Sequence, residues 1–356
     1  MKRDSRGGLS RRRFGRSALA VALAGTGWAS ASPVGPALDR PSMMTPRAVG
    51  ATLQSAARAG GRIVAVGERG VILLSDDGGA KWRQVPAPTS AGLTAVRFVG
   101  DRAGWAVGHG GVVLSTTDAG ETWQRRFDGV AAAKLQLQAA TVSGDAKAVA
   151  EAQRMVEEGA DKPLLDLYFQ DERHGWVIGA YNAAFVTEDG GATWQSVSSR
   201  LDNPKALHLY AMRARGDSLL IVGEQGLLLL SWDRGLTFRR LPSPYRGSFF
   251  TGEIRSEQEF LVAGLKGNVW RTLDGGATWK ALSGGVPVSV TASAVNGAGD
   301  VLLASQAGVL LAANDDSLSV VARQLKLPNG LLWLEGDEWL VLGFEGPVVV
   351  KIGAVR

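Results

Sequence analysis

Cysteine is missing from the 356 residues, and histidine (three) and tyrosine (four) are scarce. Without cysteine no disulfide framework, zinc–thiolate site, cysteine nucleophile or cysteine-linked lipid anchor is expected. His109, His174 and His208 lie far apart and show no ligand spacing, so neither a metal nor a cofactor is expected. No phosphate-cradling glycine loop and no serine elbow occur. An excess of one charge is missing too, although the net charge is +5. Seven of the 39 basic residues and one of the 34 acidic residues fall within residues 1–31, which leaves 32 against 33 in the rest. That balance argues against nucleic acid as a partner. Charged residues make up 21% and apolar residues 45%, the proportions of a folded soluble chain.

What is abundant is glycine, 47 residues, together with eleven tryptophans. Many tight turns around repeated aromatic anchors would use both.

The basic N-terminus reads as an address. Ser10-Arg-Arg-Arg-Phe-Gly-Arg16 heads an apolar run, Ser17–Ala31, that is too short for a membrane span of about 20 residues. An arginine pair followed by Phe, with Ala29-Ser30-Ala31 as a small-residue cleavage site, is a twin-arginine export signal. Residues 1–31 are assigned to that signal peptide, residues 32–356 to the mature domain, and the location to the periplasm.

The body repeats. Segments opening at Gly67, Gly108, Gly179, Gly223 and Gly264 each carry Asp at +10 and an aromatic at +15: Asp77 and Trp82, Asp118 and Trp123, Asp189 and Trp194, Asp233 and Phe238, Asp274 and Trp279. A sixth copy at Ser305 has Asp315 but Val320 for the aromatic, and a seventh opens at Gly343. The starts are 41, 71, 44, 41, 41 and 38 residues apart. A period of about 41 is one four-stranded propeller blade. The expected fold is therefore all-β, a seven-bladed propeller of four-stranded blades. In the second copy strands are expected at Leu93–Val99, from Trp105, at Val112–Thr116 and at Thr122–Phe127. The last copy lacks a fourth strand, and residues 37–48 are expected to supply it. The one long spacing places a helical insertion at about residues 128–163, between blades 2 and 3. Ser143-Gly-Asp145 is its N-cap signal, Gly159 its C-cap, and a preceding helix over 131–140 is expected.

Each complete copy carries Ser/Thr-x-Asp-x-Gly-x-Thr/Lys-aromatic, the Asp-box or BNR repeat. Its carboxylate suits turn N–H groups and its Gly a positive φ. Five carboxylates spread round a ring are structural, because a catalytic pair must converge. The Asp-boxes are turns between strands 3 and 4. The Gly-x-x-Gly loops between strands 2 and 3 fall on the opposite face, with the 4–1 crossovers and the insertion, and that face is the candidate binding surface. Its candidate partner-binding residues are Tyr181 and Asn182, Glu224 and Lys266 in the loops, and Asp202, Asn203 and His208 in one crossover. Tyr245, Arg246 and Phe249 stand in another, a guanidinium among aromatics.

Gly104-Trp-Ala-Val-Gly108 and Gly175-Trp-Val-Ile-Gly179, each followed by an Asp-box, resemble the photosystem II stability/assembly factor family. The resemblance covers about residues 48–352. It implies a seven-bladed, non-catalytic scaffold for membrane-protein assembly on the exported side of a membrane. The insertion and segments 202–210, 223–231 and 244–250 look like a bacterial branch often encoded beside resistance-nodulation-division exporters. The function expected is that of a periplasmic, monomeric scaffold, not an enzyme, binding a membrane or envelope protein that could be an exporter or a photosystem-type complex. The alternative is a glycan-binding or glycoside-hydrolysing, sialidase-like Asp-box propeller. A glycosidase needs two carboxylates at fixed separation, for which Asp166, Asp202 and Glu224 are the candidates.

Replacing Arg11 and Arg12 with Lys is expected to trap the protein in the cytoplasm. Cell fractionation checks this, and an unchanged periplasmic pool would refute the twin-arginine reading.

Overall fold

Strand periodicity carries over into seven antiparallel sheets within residues 36–159 and 161–353, which the computed structural model describes. The proposed signal over residues 1–31 lies outside them. Six sheets have four strands in chain order and the seventh has three. The second blade runs Leu93–Val99, Ala103–Gly108, Val113–Thr116 and Gln124–Phe127, close to the sequence expectation. Its innermost strand packs against those of blades 1 and 3, and the same relation runs round the ring until Gly330–Glu335 of blade 7 meets Leu53–Ala59 of blade 1.

The buried side chains form seven wedges, each drawn mainly from two neighbouring blades. Between blades 2 and 3, Trp105 stacks on Phe169 at 3.7 Å and Phe127 meets Phe185 edge to face. Each fully buried Val, Leu or Phe contributes about 1.5–3 kcal/mol of transfer free energy.

The ring closes differently from expectation. Residues 37–48 supply no strand. They form short 3-10 turns, Ala37–Asp39 and Pro46–Gly50, strapped mainly to blades 1 and 2. Ser42 N–H donates to the Ala87 carbonyl and Ser90 N–H to that of Ala37, each at 2.9 Å, and Arg125 meets Asp39 at 2.9 Å. Pro36, Pro41 and Pro46 leave every fifth residue of this stretch without a ladder donor. Closure rests on the wedge of Leu53, Ile63 and Leu73 against Leu334, Leu340 and Leu342, with Arg58 donating to the Leu334 carbonyl at 2.6 Å.

The insertion forms two helices, α1 (Gly129–Ser143) and α2 (Ala146–Glu158), capped by Asp128 and Asp145. The first helix starts earlier than its apolar pattern suggests because Asp128 accepts from the N–H groups of Val130 and Ala131. Ala131, Ala132 and Leu135 pack on the blade 2–blade 3 wedge.

Four Asp-boxes share one bonding scheme, and the first differs only in having Lys81 in place of the Thr that bonds Oδ2. In the second, Asp118 Oδ1 accepts from Thr116 Oγ1 (2.7 Å) and Thr122 N–H (2.9 Å), and Oδ2 from Thr122 Oγ1 (2.6 Å). Gly120 N–H returns to Thr116 Oγ1, and the Trp123 indole donates to the Gly120 carbonyl. Trp82 and Trp194 repeat that last bond, whereas Trp279 donates to Pro242 and Phe238 packs edge to face on Trp176. Hydroxyl and backbone donors hold the Asp189, Asp233 and Asp274 carboxyls at about 2, below the ordinary 3.8. A depressed carboxyl pKa stabilises the fold above the unfolded value, and that contribution fades as pH falls from about 4 to about 2. Asp189→Asn, Asp233→Asn and Asp274→Asn together are therefore expected to lower Tm at pH 6 and to matter progressively less towards pH 2. Calorimetry across that window checks this; a gap independent of pH would overturn it.

Candidate functional site

The loops between strands 2 and 3 share a face with the 4–1 crossovers. Asn182 N–H donates to the Leu207 carbonyl, and a Cβ on Gly226 would lie 2.0 Å from the Tyr245 carbonyl oxygen. The Asp-boxes occupy the other face beside the 1–2 turns, as the 3.0 Å bond from Ala119 N–H to Arg102 shows. Five loops place two successive residues at positive φ, the first being Arg69, Gly110, Tyr181, Gln225 and Lys266. That backbone favours Gly, Asn or Asp. A tyrosine there, at φ 54 and ψ 44, is held at a cost of about 1–3 kcal/mol. Tyr181 stays half-exposed, with Lys162 Nζ 5.0 Å from its ring centroid.

The innermost strands carry a second repeated device. In blades 1 to 6 the register slips at the second residue: Gln54, Thr94, Leu165, Tyr210, Phe250 and Thr291. Each is a β-bulge, which re-aims a side chain. All six line one central cavity of about 300 Å³. Leu165, Tyr210 and Phe250, from consecutive blades, form its apolar arc; Gln54, Thr94 and Thr291 form the polar remainder.

The arc continues onto the loops. Phe250 meets Tyr210 at 5.2 Å, Tyr210 meets His208 at 6.0 Å and His208 meets Tyr181 at 4.7 Å, all edge to face. His208 Nδ1 accepts from Tyr181 N–H at 2.9 Å, and its own backbone N–H donates to Glu224 Oε2 at 3.2 Å. Burial and the nearby Glu224 charge raise the Tyr210 pKa, so that ring is a neutral phenol at physiological pH. An aromatic ladder thus runs from the loop of blade 3 into the cavity mouth.

Further along the cavity wall the charges are paired. Asp166 is buried and its four acceptor positions are filled: Arg97 (3.2 Å) and Leu167 N–H (2.9 Å) on Oδ1, Arg213 (2.7 Å) and Met212 N–H (3.0 Å) on Oδ2. Arg213 also meets Glu253 at 3.5 Å and Thr251 at 3.1 Å, while Ser293 donates to Glu253 at 2.6 Å. Two arginines and two carboxylates make a neutral network across blades 2 to 5.

The ten candidate contact residues therefore separate. Tyr181 and His208 join the ladder, with Glu224 behind them, and Lys266, Asp202 and Arg246 are exposed on the same face. Asn203 is buried: its amide donates to Asn182 Oδ1 and the Leu207 carbonyl while its oxygen accepts from Leu207 N–H, so it fastens the crossover. Asn182 completes that clamp by donating to the Ser198 carbonyl. Phe249 is fully buried in the blade 4–blade 5 wedge, and Tyr245 leans on it at 5.9 Å. The bulge hands Phe250, not Phe249, to the cavity. Asp166 has no acceptor position left for acid–base work. Tyr210, Arg97, Arg213 and Glu253 were absent from the single candidate residues, and Phe250 entered only as the end of the 244–250 crossover; their recurrent places along each innermost strand were the available signal. A second cleft of about 230 Å³ separates α1 and α2 from blade 3, lined by Ala140, Ala152, Met155, Tyr181 and Ser198 among others. Among the described residues no cluster of metal-ligating side chains occurs.

Comparison with known proteins agrees with this architecture. The family model described as photosynthesis system II assembly factor YCF48 matches residues 56–129 and 144–315. That is more than half of the chain, and the chain belongs to this family. The photosystem II assembly lipoprotein Ycf48 of Synechococcus sp. (strain CC9902) is 33% identical over 116 residues, 32% of this chain and 34% of that relative. The matched region thus spans about a third of that relative's length. A solved structure, YCF48 bound to D1 peptide, superposes with a TM-score of 0.62 at 17% identity, over 90% of this chain and 99% of that one. The WD40 β-propeller domain of Doa1 superposes at 0.60 with 10% identity, over 88% and 96%. At these identities the structural likenesses show the propeller fold alone.

Removing the Asp166 carboxylate leaves Arg97 and Arg213 without their shared counter-charge. Asp166→Ala is expected to cost about 3–5 kcal/mol in urea unfolding; a loss below about 1 kcal/mol would refute the role given to the network.

Proposed function

We propose that this chain is a non-catalytic scaffold that binds an exposed, extended segment of a membrane or envelope protein at the cavity mouth. The observation that carries the reading is the aromatic ladder from Tyr181 through His208 and Tyr210 to Phe250. Aromatic side chains backed by packed strands offer large contact area at little conformational cost. The cavity of about 300 Å³ has room for side chains of an extended segment, and Lys266 and Arg246 on the same face suit a segment with acidic residues. Family membership and a YCF48 relative that binds a D1 peptide support a membrane-protein client. Export by the twin-arginine route to the periplasm belongs to this proposal, as does service to an exporter. Filled acceptors on Asp166, and the structural use of the Asp-box carboxylates, support a scaffold over a hydrolase.

A photo-crosslinker placed in turn at positions 210 and 250 in living cells is expected to capture one and the same membrane protein. Phe250→Ala, read with the crosslinker at 210, should cut that capture at least about tenfold, as loss of a central aromatic contact does, with Tm unchanged. Capture of different background proteins from the two positions, or full capture by Phe250→Ala, would overturn the proposal. Retention on polysaccharide resins that Phe250→Ala abolishes would replace it with the glycan reading.

A further inference from the structure

One blade is unfinished. Among the described residues the third strand of blade 7, Gly346–Lys351, is bonded on one side only, to Glu338–Gly343, whereas the third strand of every other blade carries a fourth. The complete blades show what the missing strand does. In blades 3, 4 and 5 the third-strand residue paired with the position before the loop glycine gives its carbonyl to an aliphatic residue of the outer strand. Ala184 accepts from Val197 N–H at 2.9 Å, Leu228 from Leu241 at 3.0 Å and Val269 from Leu282 at 3.0 Å. Val197, Leu241 and Leu282 are all buried by that docking.

In blade 7 the equivalent residue is Pro347, paired with Leu342. Pro has no N–H, which suits a position whose main chain faces away from the neighbouring strand. Antiparallel alternation then turns Val349 outward with it and Val348 and Val350 inward. The open edge therefore offers the Pro347 carbonyl and both main-chain groups of Val349. Val348 beside them is 50% exposed. The chain's own passing segment does not fill the place: Pro46–Gly50 makes its backbone bonds internally and covers only the loop end, with the Val49 carbonyl over Gly346. That cover blocks a long partner strand, such as the edge of a second copy, but leaves room for a short one. The outer strands of blades 3, 4 and 5 are only two residues long.

We propose that this edge takes a short extended segment of another protein as its fourth strand, with an aliphatic side chain following the residues that pair with Val349. Strand addition of this kind draws affinity from main-chain bonds and specificity from the alternate side chain. The surface lies on the rim of the ring and is independent of what the cavity mouth binds.

The chain's own outer strand is the probe: a synthetic peptide copying residues 276–284, tested against the full chain by amide hydrogen exchange. The free chain should exchange Val349 quickly and Val348 and Val350 slowly. Peptide at millimolar concentration should slow Val349 exchange at least about tenfold, as a newly formed ladder bond does. The same peptide with Asp at the Leu282 position should have no effect. Val349→Pro, which has no amide at the position read, should abolish binding of the peptide followed by its own Trp279 fluorescence anisotropy, and leave Tm unchanged. A slow Val349 amide in the free chain, protection that rises with protein concentration, or equal protection by the Asp peptide would each overturn the proposal.

Discussion

A blade has two apolar faces and no core of its own. Its strands are short, most of four to seven residues, and a lone sheet of that size is marginal in water. The faces of neighbouring blades must cover each other, and seven wedges result. This constraint explains why the repeats tolerate so much variation between their glycines and aromatics. It also explains how the ring closes without a shared strand. Leu53 and Ile63 against Leu340 and Leu342 supply the same contact as any other pair of blades, so the chain ends need not be sewn together.

Wedge packing fixes the backbone firmly enough to hold costly geometry where the surface uses it. Tyr181 sits in a left-handed turn position, and six bulges break the register of the innermost strands at equivalent residues. Both devices are repeated, but the side chains they present are not. Tyr210 and Phe250 fall in adjacent blades and Leu165 in the one before, so one side of the mouth is apolar. The charges inside obey the opposite rule: Arg97, Asp166, Arg213 and Glu253 neutralise one another. The proposed binding at such a mouth rests on shape and apolar contact, with the exposed charges of the loops at its margin.

The fold was legible because its signal is periodic. Asp at +10 and an aromatic at +15 survive in five copies, since every Asp-box must satisfy the same turn donors and seat a ring on the same wedge. The site was only half legible. Tyr181 could be proposed because it follows a loop glycine, and His208 because it stands in a crossover on the same face. Within the 244–250 crossover Phe249 was singled out rather than Phe250, because a bulge reverses the two-residue alternation and nothing in the local residue types reports a bulge. Asn203 reads as an exposed turn residue until its amide is seen holding Leu207 and Asn182. Asp166 joins Arg97 and Arg213 from 69 and 47 positions away, a pairing set by blade geometry. The proline-spaced segment 37–48 failed as a strand for a local reason that the sequence does state: a proline at every fifth position interrupts the run of ladder donors.

The same donor argument supports the proposed scaffold over a catalyst. A general acid or base must keep a lone pair or proton free for substrate. Asp166 spends all its acceptors on two guanidinium groups and two backbone amides. The Asp-box carboxylates spend theirs on hydroxyl and amide donors of their own turns, which is what lowers their pKa values. Glu224 accepts from a backbone N–H behind the aromatic ladder. The carboxylates best ordered by the fold are thus those least able to move a proton. Among the described residues, what the fold leaves uncommitted is aromatic surface at the mouth and one row of main-chain groups at the rim, and both proposals use these to hold another chain.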